Sequence, residues 1–321
     1  MKTQTTPDLD LGTLARLRLG YGFAFAASLT FCLIVVGALV RAHDAGLACP
    51  DWPLCFGEVV PSFDLEVAFE WGHRVFAGAI SLGLAVLTFL IVRWPELRSR
   101  LRSRLLLVWL VLGVQVVFGG LTVLLQLAPW TVSVHLVLGN TFCLLLLWTS
   151  RDLREGDQTD LSGEPLPVAL RGLAFAVAFC VFLQMVLGGW VASNYAGLAC
   201  THFPTCNGLQ WAPTWRGLVG IQVLHRINGV LLLLGFAALA WSLRGRGRVG
   251  RFAALGFGLV LMQIGVGAAN VLLRLPIWVT ALHSAVAAAI VLVTAMCIRD
   301  VIRVGTAYSE RTTHGRVAEV G

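Results

Sequence analysis

Ala45-Gly46-Leu47-Ala48-Cys49-Pro50-Asp51-Trp52-Pro53-Leu54-Cys55 returns once in this 321-residue chain, as Ala196-Gly197-Leu198-Ala199-Cys200-Thr201-His202-Phe203-Pro204-Thr205-Cys206. Five consecutive residues, one proline and the closing cysteine keep a single offset of 151. Working outward, His73-Arg74 returns as His225-Arg226 at offset 152. Gln115, Gly119, Val123-Leu124-Leu125 and His135 return as Gln263, Gly267, Val271-Leu272-Leu273 and His283 at offset 148. Offsets this steady along the chain identify an internal repeat covering nearly its whole length.

The repeated unit is a set of membrane spans. Hydrophobic residues make up 57% of the chain and charged residues 13%, about half the roughly 25% of a soluble domain. Crossing a bilayer takes about 20 consecutive apolar residues, and eight such runs occur, near 21–40, 75–92, 105–127, 130–149, 173–192, 219–243, 252–273 and 278–298. The runs are continuous rather than alternating, which excludes a membrane β-barrel. The fold class is an all-α polytopic membrane protein, eight transmembrane helices arranged as two tandem four-helix bundles. Four spans per copy is an even number, so both copies enter the membrane the same way. A pseudo-two-fold axis along the membrane normal follows, and an inverted-repeat transporter does not.

The hydrophilic segment 151–170, with Gly156, Gly163, Pro165 and Pro167, divides the chain into an N-terminal half at 1–150 and a C-terminal half at 171–321. The net charge of +7 comes from 24 basic residues, all but Lys2 arginine. Nineteen of them, including Arg93 to Arg104 and Arg244 to Arg251, fall on one side of the spans, against Arg41, Arg216 and Arg274 on the other. This is topology signal rather than a nucleic-acid surface, and it puts both termini and the 151–170 linker in the cytoplasm. Asp8 and Asp10 in a start without an Arg/Ser-rich amphipathic pattern speak against a mitochondrial leader and for a prokaryotic plasma membrane.

Four of the seven histidines lie in or at spans, and all four obey the repeat: His73 and His135, then His225 and His283. Each stands at the start of an even-numbered span, toward the outer face. Trp130 and Trp278 precede His135 and His283 by five residues, which sets those imidazoles ~7 Å deeper than an interfacial tryptophan. A lone intramembrane histidine is usually a packed, hydrogen-bonded residue. Two symmetric pairs are different. Facing imidazoles in a four-helix bundle hold a six-coordinate haem iron, with the bundle interior as the slot for the ring. Zinc fits worse, since it takes at least three protein ligands, and Met185 and Met262 lack repeat partners. Gly119, Gly120, Gly139, Gly188, Gly189 and Gly267 lie near the histidines and permit close approach of a flat ring, or of a neighbouring helix.

Cys49 with Cys55 and Cys200 with Cys206 lie in equivalent outer loops, where an oxidising compartment favours disulfides that brace the loop; a redox role is the alternative for the first pair. Arg74 and Arg226 follow ligand candidates directly and are costly in lipid unless partnered. Haem propionates, an ion pair with Glu70, or snorkelling outward all satisfy them. The informative departure from the repeat is Glu70, three residues before His73, against Gln222, three before His225. Residues three apart share a helix face, so Glu70 can direct a carboxylate at whatever His73 holds, whereas Gln222 only hydrogen-bonds.

The run Gly46 to Cys55, followed by Glu70-Trp71-Gly72-His73-Arg74 and a second His-Arg at 225–226, closely resembles haem A synthase, from about Val36 to His283. The resemblance implies oxidation of the C8 methyl of haem O to a formyl group by two successive hydroxylations with water-derived oxygen. It implies His73 and His135 as iron ligands of substrate haem O, His225 and His283 as ligands of a haem B cofactor, and Glu70 as the active-site carboxylate. A haem O synthase would deliver the substrate and the cytochrome oxidase assembly pathway would take the product. Lipid and a second copy, in a homo-oligomer, complete the partners. Rival readings are a di-haem cytochrome b-like carrier, which predicts equivalent halves, a thiol/quinone oxidoreductase centred on Cys49–Cys55, and a haem transporter.

Overall fold

The computed structural model describes residues 11–155 and 166–319. Lys2, Asp8, Asp10, Gly156, Gly163 and Pro165 lie outside the described residues. The described chain is helical: α1 (Leu11–Ala42), α2 (Leu65–Val92), α3 (Pro95–Leu124), α4 (Pro129–Glu155), α5 (Val168–Ser193), α6 (Gly217–Ser242), α7 (Gly247–Leu272) and α8 (Ile277–Glu319). All eight are long and apolar enough to cross a membrane.

The helices outrun the apolar runs because hydropathy marks only what lipid covers, while local signals set where a helix starts. Asp64 caps α2, its side chain accepting from Val67 N at 2.8 Å, with Glu66 in the first turn. Helix α2 therefore begins ten residues before its apolar run, and His73 stands in its third turn rather than at its start. Pro95 opens α3 at a position where its missing N–H costs nothing. Helix α4 continues to Glu155, so the first five residues of the segment read as a linker are helical.

In the first half α1 packs on α2 and α4, and α3 on α4 and α2; in the second α5 packs on α6 and α8, and α7 on α8 and α6. Between halves, α1 meets α8, α5 meets α4, and α4 meets α8. Exchanging the halves maps this set of pairings onto itself, as a two-fold would.

Each half has its own apolar core. One is built on Phe23, Leu84, Ile91, Val108 and Leu146, the other on Phe236, Leu239, Leu243, Ala253 and Val301. Both cores draw on the first parts of the odd helices and the last parts of the even ones, so they fill one end of each bundle. At the opposite end sit two small clusters, Cys49, Cys55 and Val67 in one half and Cys200, Cys206 and Val223 in the other. The histidines occupy the layer between.

The repeat extends to the backbone. A 3-10 turn covers Ala45–Leu47 and Ala196–Leu198, each entered through a left-handed residue, Asp44 and Tyr195, at φ 53°. Left-handed pairs Gln126-Leu127 and Arg274-Leu275 end the turns after α3 and α7. Leu127 and Leu275 then pack onto Gly46 and Gly197.

Candidate functional site

His73 and His225 both stand eight residues after the first residue of their helices, and His135 and His283 both stand six after. At 1.5 Å per residue these are depths of ~12 Å and ~9 Å from the helix starts, matched between halves. His73 and His135 lie within electrostatic reach of one another, as do His225 and His283.

Each imidazole lies against a glycine of the preceding helix. A Cβ built at Gly37 would stand 3.1 Å from His73 Cε1, and one at Gly119 would stand 3.0 Å from His135 Cε1. In the second half Gly188 gives 3.3 Å to His225 and Gly267 gives 3.2 Å to His283. A Cβ at any of the four would crowd the ring edge, and glycine lets it rest on the helix without displacement. Four of four rings are seated this way; Gly37, which the sequence reading passed over, is the repeat partner of Gly188 at the offset of 151.

The nitrogens sort by position. Nδ1 of His73, His225 and His283 is buried without a partner, and His135 Nδ1 lies 3.2 Å from Gln115 O. His135 Nε2 lies 3.5 Å from the Gln115 amide and His225 Nε2 3.4 Å from the Gln184 amide. Buried polar atoms without partners are rare and ask for a reason. Gln115 Oε1 and Gln263 Oε1 are orphaned at the same level. Paired imidazoles, glycine-smoothed walls and a layer left outside the packed core fit a flat ring that the two histidines of each half would hold. Among the described residues no group of three or more His, Cys, Asp or Glu is placed to hold a bare metal ion.

Above the histidines the halves diverge. Glu70 is 5% exposed; its Oε2 accepts from Cys49 N at 2.8 Å and its Oε1 from Arg74 Nη2 at 2.5 Å. Gln222 is equally buried, yet Nε2 donates to Gly197 O at 3.2 Å while Oε1 has no partner. Arg74 also donates to Asp51 O at 2.8 Å, Leu54 O at 2.6 Å and Cys49 O at 3.4 Å. Arg226 repeats that grip on Thr205 O at 2.9 Å and Cys200 O at 3.2 Å. Of the partners open to them in the sequence, the ion pair with Glu70 is found for Arg74, and both arginines are held besides by carbonyls of the disulfide loops, a partner the sequence reading did not include. Disulfides join Cys49 to Cys55 and Cys200 to Cys206. In the first loop Asp51 accepts from Phe56 N at 2.7 Å and Gly57 N at 2.8 Å, and Trp52 lies on Gly120, where a Cβ would meet the indole at 2.9 Å. Gly139 faces Gln115, and Gly189 faces Ser133 and Leu136 of α4.

Sequence spacing gave no sign of the charged cluster at the other end. Arg299, fully buried, bonds Asp152 at 2.6 Å and Glu155 at 2.8 Å. Asp300 takes Arg248 at 2.6 Å, Asp152 also takes Arg104 at 3.0 Å, and Arg151 and Arg303 close on Glu155. Every carboxylate here serves arginines from more than one helix, and α4 carboxylates answer α7 and α8 guanidiniums across the halves.

The sequence profile of the COX15-CtaA family, described as cytochrome oxidase assembly protein, matches residues 22–295. The haem A synthase of Shewanella oneidensis is 30% identical over 304 residues, covering 82% of this chain and 90% of its own. That of Halalkalibacterium halodurans is 30% identical over 283 residues, covering 83% and 90%. That of Maricaulis maris is 27% identical over 309 residues, covering 81% and 89%.

Proposed function

Because the chain belongs to the COX15-CtaA family of cytochrome oxidase assembly proteins, we propose that it acts as a haem A synthase, a multi-pass membrane enzyme of haem A biosynthesis that oxidises the C8 methyl of haem O to a formyl group. Each of the two hydroxylations adds oxygen from water and removes two electrons and two protons; the geminal diol formed by the second loses water to give the aldehyde. His73 and His135 hold the substrate iron in the 1–150 half. His225 and His283 would hold haem B in the 171–321 half, where that group would carry the electrons on to an oxidant outside this chain. The site lies toward the outer face, with both termini cytoplasmic, since the arginine-rich ends belong inside.

The observation that carries the reading is the pairing of two equivalent histidine layers with a single carboxylate. Withdrawing electrons from a ring methyl builds positive charge at that carbon, and a fixed anion nearby lowers the barrier. Glu70, one turn before His73, supplies that charge; Arg74 and the Cys49 amide hold it in place. The first disulfide keeps the Cys49 amide where Glu70 needs it, and so serves as a brace. The product passes to terminal oxidase assembly, and a haem O-forming enzyme supplies the substrate.

The test is to extract and identify the haems of the purified protein. Haem O, its hydroxylated form or haem A beside haem B supports the synthase. Two haem B groups and nothing else would support a cytochrome b-like carrier instead.

A further inference from the structure

Arg41 lies in the last turn of α1, four residues beyond Gly37, the glycine that seats His73. Residues four apart share a helix face, so Arg41 is set on the side of α1 that meets His73, ~6 Å nearer the disulfide loops. Glu70 stands one turn before His73 on α2, toward the same end. His43 stacks on Phe69 with ring centroids 4.5 Å apart, which pins the end of α1 to the turn of α2 that carries Glu70. A cation on α1 and an anion on α2 therefore stand at one level, above the first histidine pair.

The Arg41 guanidinium is half-buried and makes no ion pair among the described residues. Its central carbon lies 5.2 Å from the ring centroid of Tyr195, which the second half contributes. Asp44, exposed, is within electrostatic reach but does not pair with it. A ring face attracts a cation without taking its N–H groups, so the fork of donors stays open to a carboxylate. Arg74 differs: both of its Nη atoms are spent on the Asp51, Leu54 and Cys49 carbonyls and on Glu70. At the matching places the second half has Ala192 for Arg41 and Asn194 for His43. The open arginine belongs to the first half alone.

We propose that Arg41 binds a propionate of the haem held by His73 and His135, and so fixes which edge of that ring meets Glu70. This rests on the haem assignment above and adds to it a source of regioselectivity. On haem O the C8 methyl and one propionate are neighbours on a single pyrrole ring. A propionate drawn to Arg41 keeps that pyrrole at the level of Glu70, with the methyl as the substituent beside it. A ring turned to bring a propionate against Glu70 would set two carboxylates together in a buried site, where like charges repel. The substrate's own charge is thus read by attraction at α1 and by repulsion at α2.

The experiment uses the full chain purified in detergent from cells that lack a haem O-forming enzyme, titrated with haem O and with haem O dimethyl ester and followed by the low-spin absorbance band. Wild type should bind haem O about tenfold more tightly than the ester, the worth of one charge-assisted hydrogen bond. Arg41→Gln should bring the two affinities to within about twofold and leave the haem B content at its wild-type value. Arg41→Lys, which keeps the charge and loses the planar fork, should fall between. Discrimination in Arg41→Gln as large as in wild type would overturn the proposal. Equal affinities for haem O and its ester in wild type would overturn it too, with no variant needed. A haem O band that survives in His73→Ala would instead defeat the assignment of the first site, and is read separately.

Discussion

At the level of residue 70 the first half sets a carboxylate between the Cys49 amide and Arg74. At the same level the second half sets Gln222, with one amide bond to Gly197 O and an unpartnered Oε1. Arg226 nevertheless keeps its grip on the second loop through Thr205 and Cys200 carbonyls. The second half thus displays what the first would look like after losing its charge: loop, disulfide and arginine persist without the carboxylate. What distinguishes Glu70 is its charge, since the architecture around it does not depend on that charge.

The largest effect that would break this comparison is at the ligands. His225→Ala or His283→Ala should remove bound haem B and haem A formation together, read by pyridine haemochrome analysis at matched protein level. A normal haem B spectrum in both variants would refute the assignment. Next, Glu70→Gln should keep its haems and lose haem A formation by on the order of 10²–10³, as for other single electrostatic groups. Gln222→Glu should create no second active site. A Glu70→Gln enzyme working at the wild-type rate would make the two halves chemically equivalent.

Smaller effects sharpen it. Replacing Cys200 and Cys206 by Ser should lower stability by about 2 kcal/mol, the loop-entropy worth of so short a ring, with turnover per folded molecule little changed. The same exchange at Cys49 and Cys55 should cost a similar amount and also loosen the acceptor bond of Glu70. The smallest effect is in acid. The Gly57 and Phe56 amides, with help from Arg74, hold Asp51 below its ordinary value of 3.8. A depressed carboxylate stabilises the folded loop fully above the ordinary value and loses that contribution as pH falls through its own lower one. The protection of the Phe56 and Gly57 amides, taken relative to their intrinsic exchange rate, should therefore fall below about pH 4, while that of the second loop, which has no carboxylate between Thr201 and Gln210, should not change in that window.

Much of this was legible in residues. The duplicated loop fixed the tandem arrangement, the cysteine spacing gave the two disulfides, and the His-Arg pairs located the layer that matters. Those signals are local or repeat at constant offset, so one dimension suffices. The helix starts were misplaced by up to ten residues, because Asp64 and Pro95 act through capping rather than hydropathy. Gln184 was invisible because its meaning lies in what another helix brings to it, whereas Gly37 was open to reading as the repeat partner of Gly188. The arginine grip on loop carbonyls was hidden for a related reason: a carbonyl acceptor has no letter in the sequence.

The buried charge cluster at the end opposite the disulfides has a consequence for how such a molecule can be divided. Asp152 and Glu155 belong to α4, whereas Arg248, Arg299 and Arg303 belong to the second half. Cut between Glu155 and Val168, each fragment would keep its apolar core but would expose charges whose counterions reside on the other. Removing a partner from a buried pair costs about 3–5 kcal/mol, so each fragment alone would be penalised and the two together would not. The halves are complementary in charge at this end, and co-expressed fragments should find one another by charge before any haem is bound.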